Sequence, residues 1–320
     1  MPISRSALLG LTACLILDGT FASRVGGESP PPPAARKRSD VERVLAPAAG
    51  KRPTESSRRE LTIVLLADRK DHGPNEHDYP RWQARWALLL GGSEASREPA
   101  ANLFGPDRVD PAAGKGTHNV RVMTAQKWPE PGQWEAADTV VAFCYLPWSP
   151  ENIAQARGYL ERGGGLVLIH SATWTMPGPS ADVAAIVGVG GFERHRHGGT
   201  EMNLVAPAHP ICLGLPAAIQ FVDEPYWPPT PAIHADRIQI LAASKEQTVV
   251  GQPGESLQPL FWTFTCGKGR VFGCVLGHNN WTFDDPYFRL PLLRGIAWSA
   301  GESPYRFDDL VLTSAAVTHE

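Results

Sequence analysis

The chain is poor in cysteine, in excess charge of either sign and in long apolar runs, and each shortage narrows its function. Five cysteines occur in 320 residues, and none stands at a ligand spacing such as C-x-x-C, so the sequence offers no thiolate metal site. Cys144 falls in an apolar run and reads as core. Cys266 and Cys274 flank the turn Gly267-Lys268-Gly269, which sets Cys266 opposite a residue near Arg270, so a local disulfide is not expected. A more distant pairing among Cys144, Cys212, Cys266 and Cys274 stays open. The formal net charge is −3. There is no basic excess to neutralise phosphates, which removes nucleic acid as a partner. Beyond the N-terminus no apolar run is long enough to span a bilayer. The first strand is followed by no Gly-rich phosphate loop or dinucleotide fingerprint, so a nucleotide cofactor is not expected.

Pro (30) and Gly (31) are abundant, which implies long loops, and ten Trp suit either a core or the aromatic walls of a sugar site. Residues 1–24 read as an export signal. Arg5 precedes the apolar run Ala7–Leu17, with Thr20-Phe21-Ala22 as a cleavage site, so the expected location is periplasmic or extracellular. Leu11-Thr12-Ala13-Cys14 also has the form of a lipoprotein box, which would anchor the chain through Cys14. Residues 25–59, with four prolines at 30–33, read as a disordered Pro-rich tether. Residues 60–302 are long enough for one large α/β domain, and 303–320 read as a C-terminal tail.

The stretch Gly163–Trp174 (GGGLVLIHSATW) organises the rest. Three glycines end a helix, and Leu166–Ile169 is short and apolar enough to be a strand buried on both faces. It stops at His170-Ser171. In an open α/β sheet, ligands sit past the carboxyl ends of the strands, so this polar pair is a site candidate. Buried strands are also expected at Leu61–Ala67, Asn119–Thr124 and Thr139–Tyr145, with helices at Arg81–Leu90 and after the cap Ser149-Pro150. Glu201–Val205 alternates like an edge strand. Ile238–Ala243, Thr248–Gly251 and Pro259–Thr265 follow, then a hairpin turn, Arg270–Leu276 and a closing helix from Asp285-Pro286. This order predicts a mostly parallel sheet with helices on both sides.

Four segments follow strands whose ends share a rim: the 68–79 loop, Tyr145–Trp148, His170–Trp174 and His278–Trp281. They supply His72, His77, His170 and His278. Histidine serves as acid/base near neutral pH or as a metal ligand, and three such ligands would hold a divalent metal such as Zn²⁺. His72 and His77 are the candidate metal ligands; His170, His278 and the carboxylate of Glu224 are the candidate catalytic groups. Trp148, Trp174, Trp281, Tyr145 and Asn280 are candidates for binding substrate. Ser171 stands where a nucleophile would, but without the glycines of G-x-S-x-G. His195 and His197 alternate on an extended segment and face one side, as ligands or as a solvated edge. His209 precedes Pro210 in a turn, and His234 lies in a polar loop.

Several of these segments together resemble one family. FWTFTCGKGRVFGCVLGHNNW with DPYFR and GIAWSAG, Gly163–Ala172, His209-Pro210, Asp223-Glu224-Pro225-Tyr226 and His72–Tyr79 are similar, in this order, to motifs of the trehalose-utilisation (ThuA-like) family. The resemblance covers roughly Leu61–Gly301. It implies a flavodoxin-like, doubly wound fold of the class I glutamine amidotransferase type. It also implies a small-molecule carbohydrate partner, notably a 3-keto-sugar, on which the chemistry would be hydrolysis, lyase cleavage or isomerisation. The amidotransferases carry their catalytic Cys after the organising strand; here His170-Ser171 stands there, so glutamine hydrolysis is not expected. The Gly277–Trp281 turn is short, where exported members carry a further histidine. The rival expectation is a non-catalytic carbohydrate-binding or accessory protein on the same fold.

Overall fold

The computed structural model describes residues 31–230, 237–248 and 254–319. The export signal, with Cys14, and His234 lie outside these residues, as does most of the strand expected at Thr248–Gly251.

Two strands and a helix open the described chain: β1 (Arg36–Lys37), α1 (Arg38–Leu45) and β2 (Leu61–Ala67). Then come α2 (Tyr79–Gly91), α3 (Pro111–Lys115), β3 (Val120–Gln126), α4 (Pro131–Ala136), β4 (Thr139–Ala142), α5 (Pro150–Glu161) and β5 (Gly165–Ile169). The middle of the chain holds α6 (Ala181–Val187), β6 (Phe192–His195), β7 (Gly198–Leu204), β8 (Ala218–Asp223) and β9 (Tyr226–Pro229). It closes with β10 (Ile238–Gln247), β11 (Glu255–Cys266), β12 (Gly269–Cys274), α7 (Pro286–Ser299) and β13 (Val317–Thr318).

One nine-stranded sheet carries the domain, in the order β3-β2-β4-β5-β12-β11-β10-β7-β8. Its first five strands are parallel and in register, Leu65 facing Val141 and Val167 facing Phe272. The other four continue it as antiparallel neighbours. The inner parallel strands β2, β4 and β5 are almost wholly apolar because both faces are covered, whereas β3 at the edge is partly exposed. All five residues of β5 are buried, and Pro291-containing α7 is buried almost along its whole length. Among the described residues no helix is long and apolar enough to cross a membrane, and Cys144, Cys212, Cys266 and Cys274 are free and buried.

Three expectations are corrected. The stretch read as a tether folds from Arg36 onward. Val41, Val44, Leu45 and Ala48 recur at helical spacing and are buried, so α1 has an apolar stripe that the surrounding Pro and Arg content obscures. The stretch read as a tail is also packed: Phe307, Leu310 and Val311 are buried, and β13 pairs with β1 in parallel. Third, the segment Glu201–Val205 is not an edge. It belongs to β7, which lies between β10 and β8, and β8 is the edge. Alternation reports that one face is wet; it does not report how many neighbours a strand has.

A buried ion pair fastens the C-terminal segment. Arg294 of α7 donates to both carboxylate oxygens of Asp308, at 2.9 and 2.8 Å, and to the carbonyls of Ile211 and Leu213. Both side chains of the pair are fully buried. Removing one partner strands the other charge in the core. Asp308→Ala is expected to cost roughly 3–5 kcal/mol in urea unfolding. Its exposed neighbour variant Asp309→Ala should cost under about 1 kcal/mol. Equal losses would show that the segment is not fastened by this pair.

Candidate functional site

The carboxyl ends of β2, β5 and β12 converge on one carboxylate. After β5 the chain turns into a short 3-10 segment, His170–Thr173, with His170 at φ +49°. His77, in the loop after β2, stands at φ +43°. Non-glycine residues in this region are strained by about 1–3 kcal/mol each and cluster at functional sites. After β12, Gly277 turns at φ +124°, where a Cβ would press on Ile169 and Phe283. That turn delivers His278 beside His170.

Asp223, the last residue of β8, fixes the geometry. It is buried and accepts from the backbone amides of His278 (3.0 Å), Gly277 and Glu224 (2.7 Å), and from the Thr282 hydroxyl. One carboxylate therefore sets the positions of both Glu224 and His278, across the two halves of the sheet.

Four imidazoles surround Glu224. Its Oε2 lies 2.9 Å from His278 Nδ1 and 3.3 Å from His170 Nε2. Its Oε1 lies 2.6 Å from His195 Nδ1 and 2.8 Å from His197 Nε2. His77 Nε2 completes the inner group, 3.0 Å from His278 Nδ1. The nitrogens of His77, His170 and His278 and an oxygen of Glu224 lie within 4.8 Å of one another, on four buried residues.

Outer contacts orient the rings. His170 Nδ1 is 2.7 Å from the Val275 carbonyl, which can only accept, so Nδ1 carries the proton and the Nε2 lone pair points inward. Asp71 Oδ1 does the same for His77 Nδ1 at 3.1 Å and also meets His72 Nδ1 at 2.8 Å. The Tyr226 hydroxyl lies 2.7 Å from His170 Nε2, and the Tyr79 hydroxyl 2.7 Å from His77 Nδ1. Burial raises both phenols, so they stay protonated.

The electrostatics follow the same plan. Burial alone would raise Glu224, but the surrounding imidazoles hold its carboxyl far below the usual range. Burial lowers His77 and His170, keeping them neutral. Burial also opposes charge on His278, but Glu224 and Glu76 overcome it and push this ring up to about 9. His278 thus pairs with Glu224 as imidazolium and carboxylate.

The site brings together most of the groups singled out from sequence. His72, His77, His170, His278 and Glu224 meet directly. Tyr145 stands 6.2 Å from the His77 ring. Trp174 lies 5.9 Å from His195 and 4.9 Å from Tyr226. Ser171 is fully buried beside Tyr79. Asn280 is buried, its backbone amide donating to the Asn75 carbonyl. Trp148 instead packs edge-to-face against Trp128 at 5.4 Å. Trp281 packs on Phe104 and donates to the Val222 carbonyl. His209 caps a 3-10 turn, as its place before Pro210 implies. His195 and His197 both reach Glu224, although His195 stays exposed, because β6 pairs with β9 and sets His195 opposite Tyr226. Asp71, Glu76 and Tyr79 went unassigned. The alternation of His195 and His197, and the acidic pair at 223–224, were the available signals.

A mixed α/β sheet with a buried histidine–carboxylate cluster at its strand ends defines the class of protein. The family model described as "ThuA: Trehalose utilisation" matches residues 113–299, and the chain belongs to this family. A ThuA-like protein from Bacteroides uniformis is similar in fold, with a TM-score of 0.54 at 15% identity over 79% of this chain and 98% of that one. A ThuA-like protein from Parabacteroides merdae aligns at 20% identity, covering 77% of this chain and 92% of that one, with a TM-score of 0.47. No curated protein matches the sequence.

The charge pattern yields a pH dependence. A histidine raised from 6.5 to about 9 stabilises the fold fully below pH 6.5, and that contribution is lost as pH rises through 9. For metal-free protein the loss should reach roughly 3 kcal/mol. Below pH 6.5 the lowered His77 and His170 work the other way, since the unfolded chain takes up their protons. Urea midpoints in chelator should therefore peak near neutral pH, and Glu224→Gln should flatten the alkaline limb. An alkaline limb unchanged in that variant would refute the pairing.

Proposed function

We propose that this protein is an exported enzyme of carbohydrate catabolism that acts on a sugar or 3-keto-sugar by metal-assisted acid/base chemistry. Membership of the trehalose-utilisation family supports the substrate class, and the composition of residues 1–24 supports export. The order of the five parallel strands, with the second outside the first, supports a flavodoxin-like doubly wound core of the amidotransferase type.

The observation that carries the reading is the inner cluster. His170 and His77 have their outer nitrogens committed to Val275 and Asp71, and their inner lone pairs turned toward Glu224 and His278. Such outer contacts orient metal-bound histidines. Ligands of a tetrahedral ion at about 2.0–2.1 Å stand roughly 3.3 Å apart, and adjacent donors here lie 2.9, 3.0 and 3.3 Å apart. His77, His170, His278 and Glu224 would hold the ion in place of the His278 proton. When bound, a divalent cation would polarise a carbonyl or activate water. The protein's own groups supply the rest: Glu224 fixes the position of charge, and the Tyr226 hydroxyl offers a neutral hydrogen-bond donor.

The test is metal analysis of the purified protein together with turnover of 3-keto-glucosides. One or more bound ions per chain, with turnover abolished by chelator and restored by Zn²⁺, is the expected result. His170→Ala should lose at least about 100-fold in turnover. Full turnover by metal-free protein would overturn the metal, and binding without turnover under every metal condition would overturn the enzyme.

A further inference from the structure

Glu224 presents two oxygens to two different sets of histidines. The inner set is His170 and His278 on Oε2, with His77 behind them. The outer set is His195 and His197 on Oε1. The two sets differ in exposure. The side chains of His170 and His278 are 0% and 1% exposed, those of His195 and His197 53% and 20%. They also differ in number. The inner group has four protein donors, so its ion would take a further ligand only by expanding to five-coordination. The outer group has three, which leaves coordination positions open, as in catalytic sites.

We propose that Glu224 bridges two divalent cations, with the outer one held by His195, His197 and Glu224 Oε1 and open to substrate. The proposal rests on the metal reading of the inner cluster and adds a second ion to it. The donor atoms of the outer group lie within 4.8 Å of one another. A carboxylate with one oxygen on each ion is a natural bridge for a pair about 3.5–4 Å apart. His195 lines a cleft of about 690 Å³ whose walls include Arg194, Trp227, Lys245 and Glu246. That volume suits a small molecule. Trp174 stands beside His195 and offers an apolar face to a sugar ring. Neighbouring oxygens of a sugar would occupy the open positions of the outer ion. The buried rings of His77, His170 and His278 would then govern the inner ion without touching the sugar.

The experiment is a metal count on the full chain. Protein stripped by chelator is reloaded with Zn²⁺ and passed through a desalting column, and retained zinc is measured per chain. Wild type should retain two ions, and the double variant His195→Ala/His197→Ala should retain one while keeping the wild-type circular dichroism spectrum. Mn²⁺-loaded wild type should give the electron paramagnetic resonance spectrum of a coupled pair, and the double variant that of an isolated ion. One ion in wild type overturns the outer position and leaves the inner reading intact. No retained ion overturns both. Two ions in the double variant overturn the assignment of His195 and His197.

Discussion

Everything distinctive about this protein depends on one carboxylate kept charged in a buried place. An ionised Glu in an apolar interior is costly unless its charge is met. Glu224 is met by four imidazoles, which come from three separate segments of the chain. Remove the carboxylate and His278 loses the partner that keeps it protonated; remove the histidines and the carboxylate has no reason to stay charged. The cluster therefore acts as a unit, and single substitutions within it will not add.

The two halves of the sheet contribute in different ways. The parallel half supplies rigid strand ends, from which His77, His170 and His278 project a short distance into the interior. The antiparallel half supplies Glu224 just after β8, and the separate two-stranded pair of β6 and β9 brings in His195 and His197. Asp223 joins the halves by binding backbone amides on both sides. Placement thus comes from main-chain contacts, which leaves the side chains of the cluster available for chemistry.

Much of this was legible in the sequence, for physical reasons. Apolar runs ending at a histidine mark buried strands that stop at a polar rim, so the meeting of His77, His170 and His278 followed from topology alone. Glu224 was visible as half of an acidic pair in a loop. Period-two spacing showed that His195 and His197 share a side; it could not show that β9 would turn that side toward Glu224. The contacts of Asp71, Tyr79 and Asp223 are set by tertiary packing between segments distant in sequence, and no local pattern reports them. Composition misled at residues 36–57, where prolines and arginines surround a short amphipathic helix. Of the tryptophans, only Trp174 stands against the cluster; Trp148 and Trp281 meet aromatic partners elsewhere, since a large ring near a strand end serves packing as readily as recognition.

The contacts of Arg36 have a bearing on how copies of this molecule behave toward one another. Its guanidinium reaches from β1 to the Gln220 carbonyl of β8, at 2.6 Å, while holding Asp285 at the start of α7. An outermost strand with unpaired carbonyls is a template on which a second chain can add. Arg36 thus occupies one of the carbonyls along that border. Loss of that contact would favour self-association through β8, the strand that leads directly into Glu224.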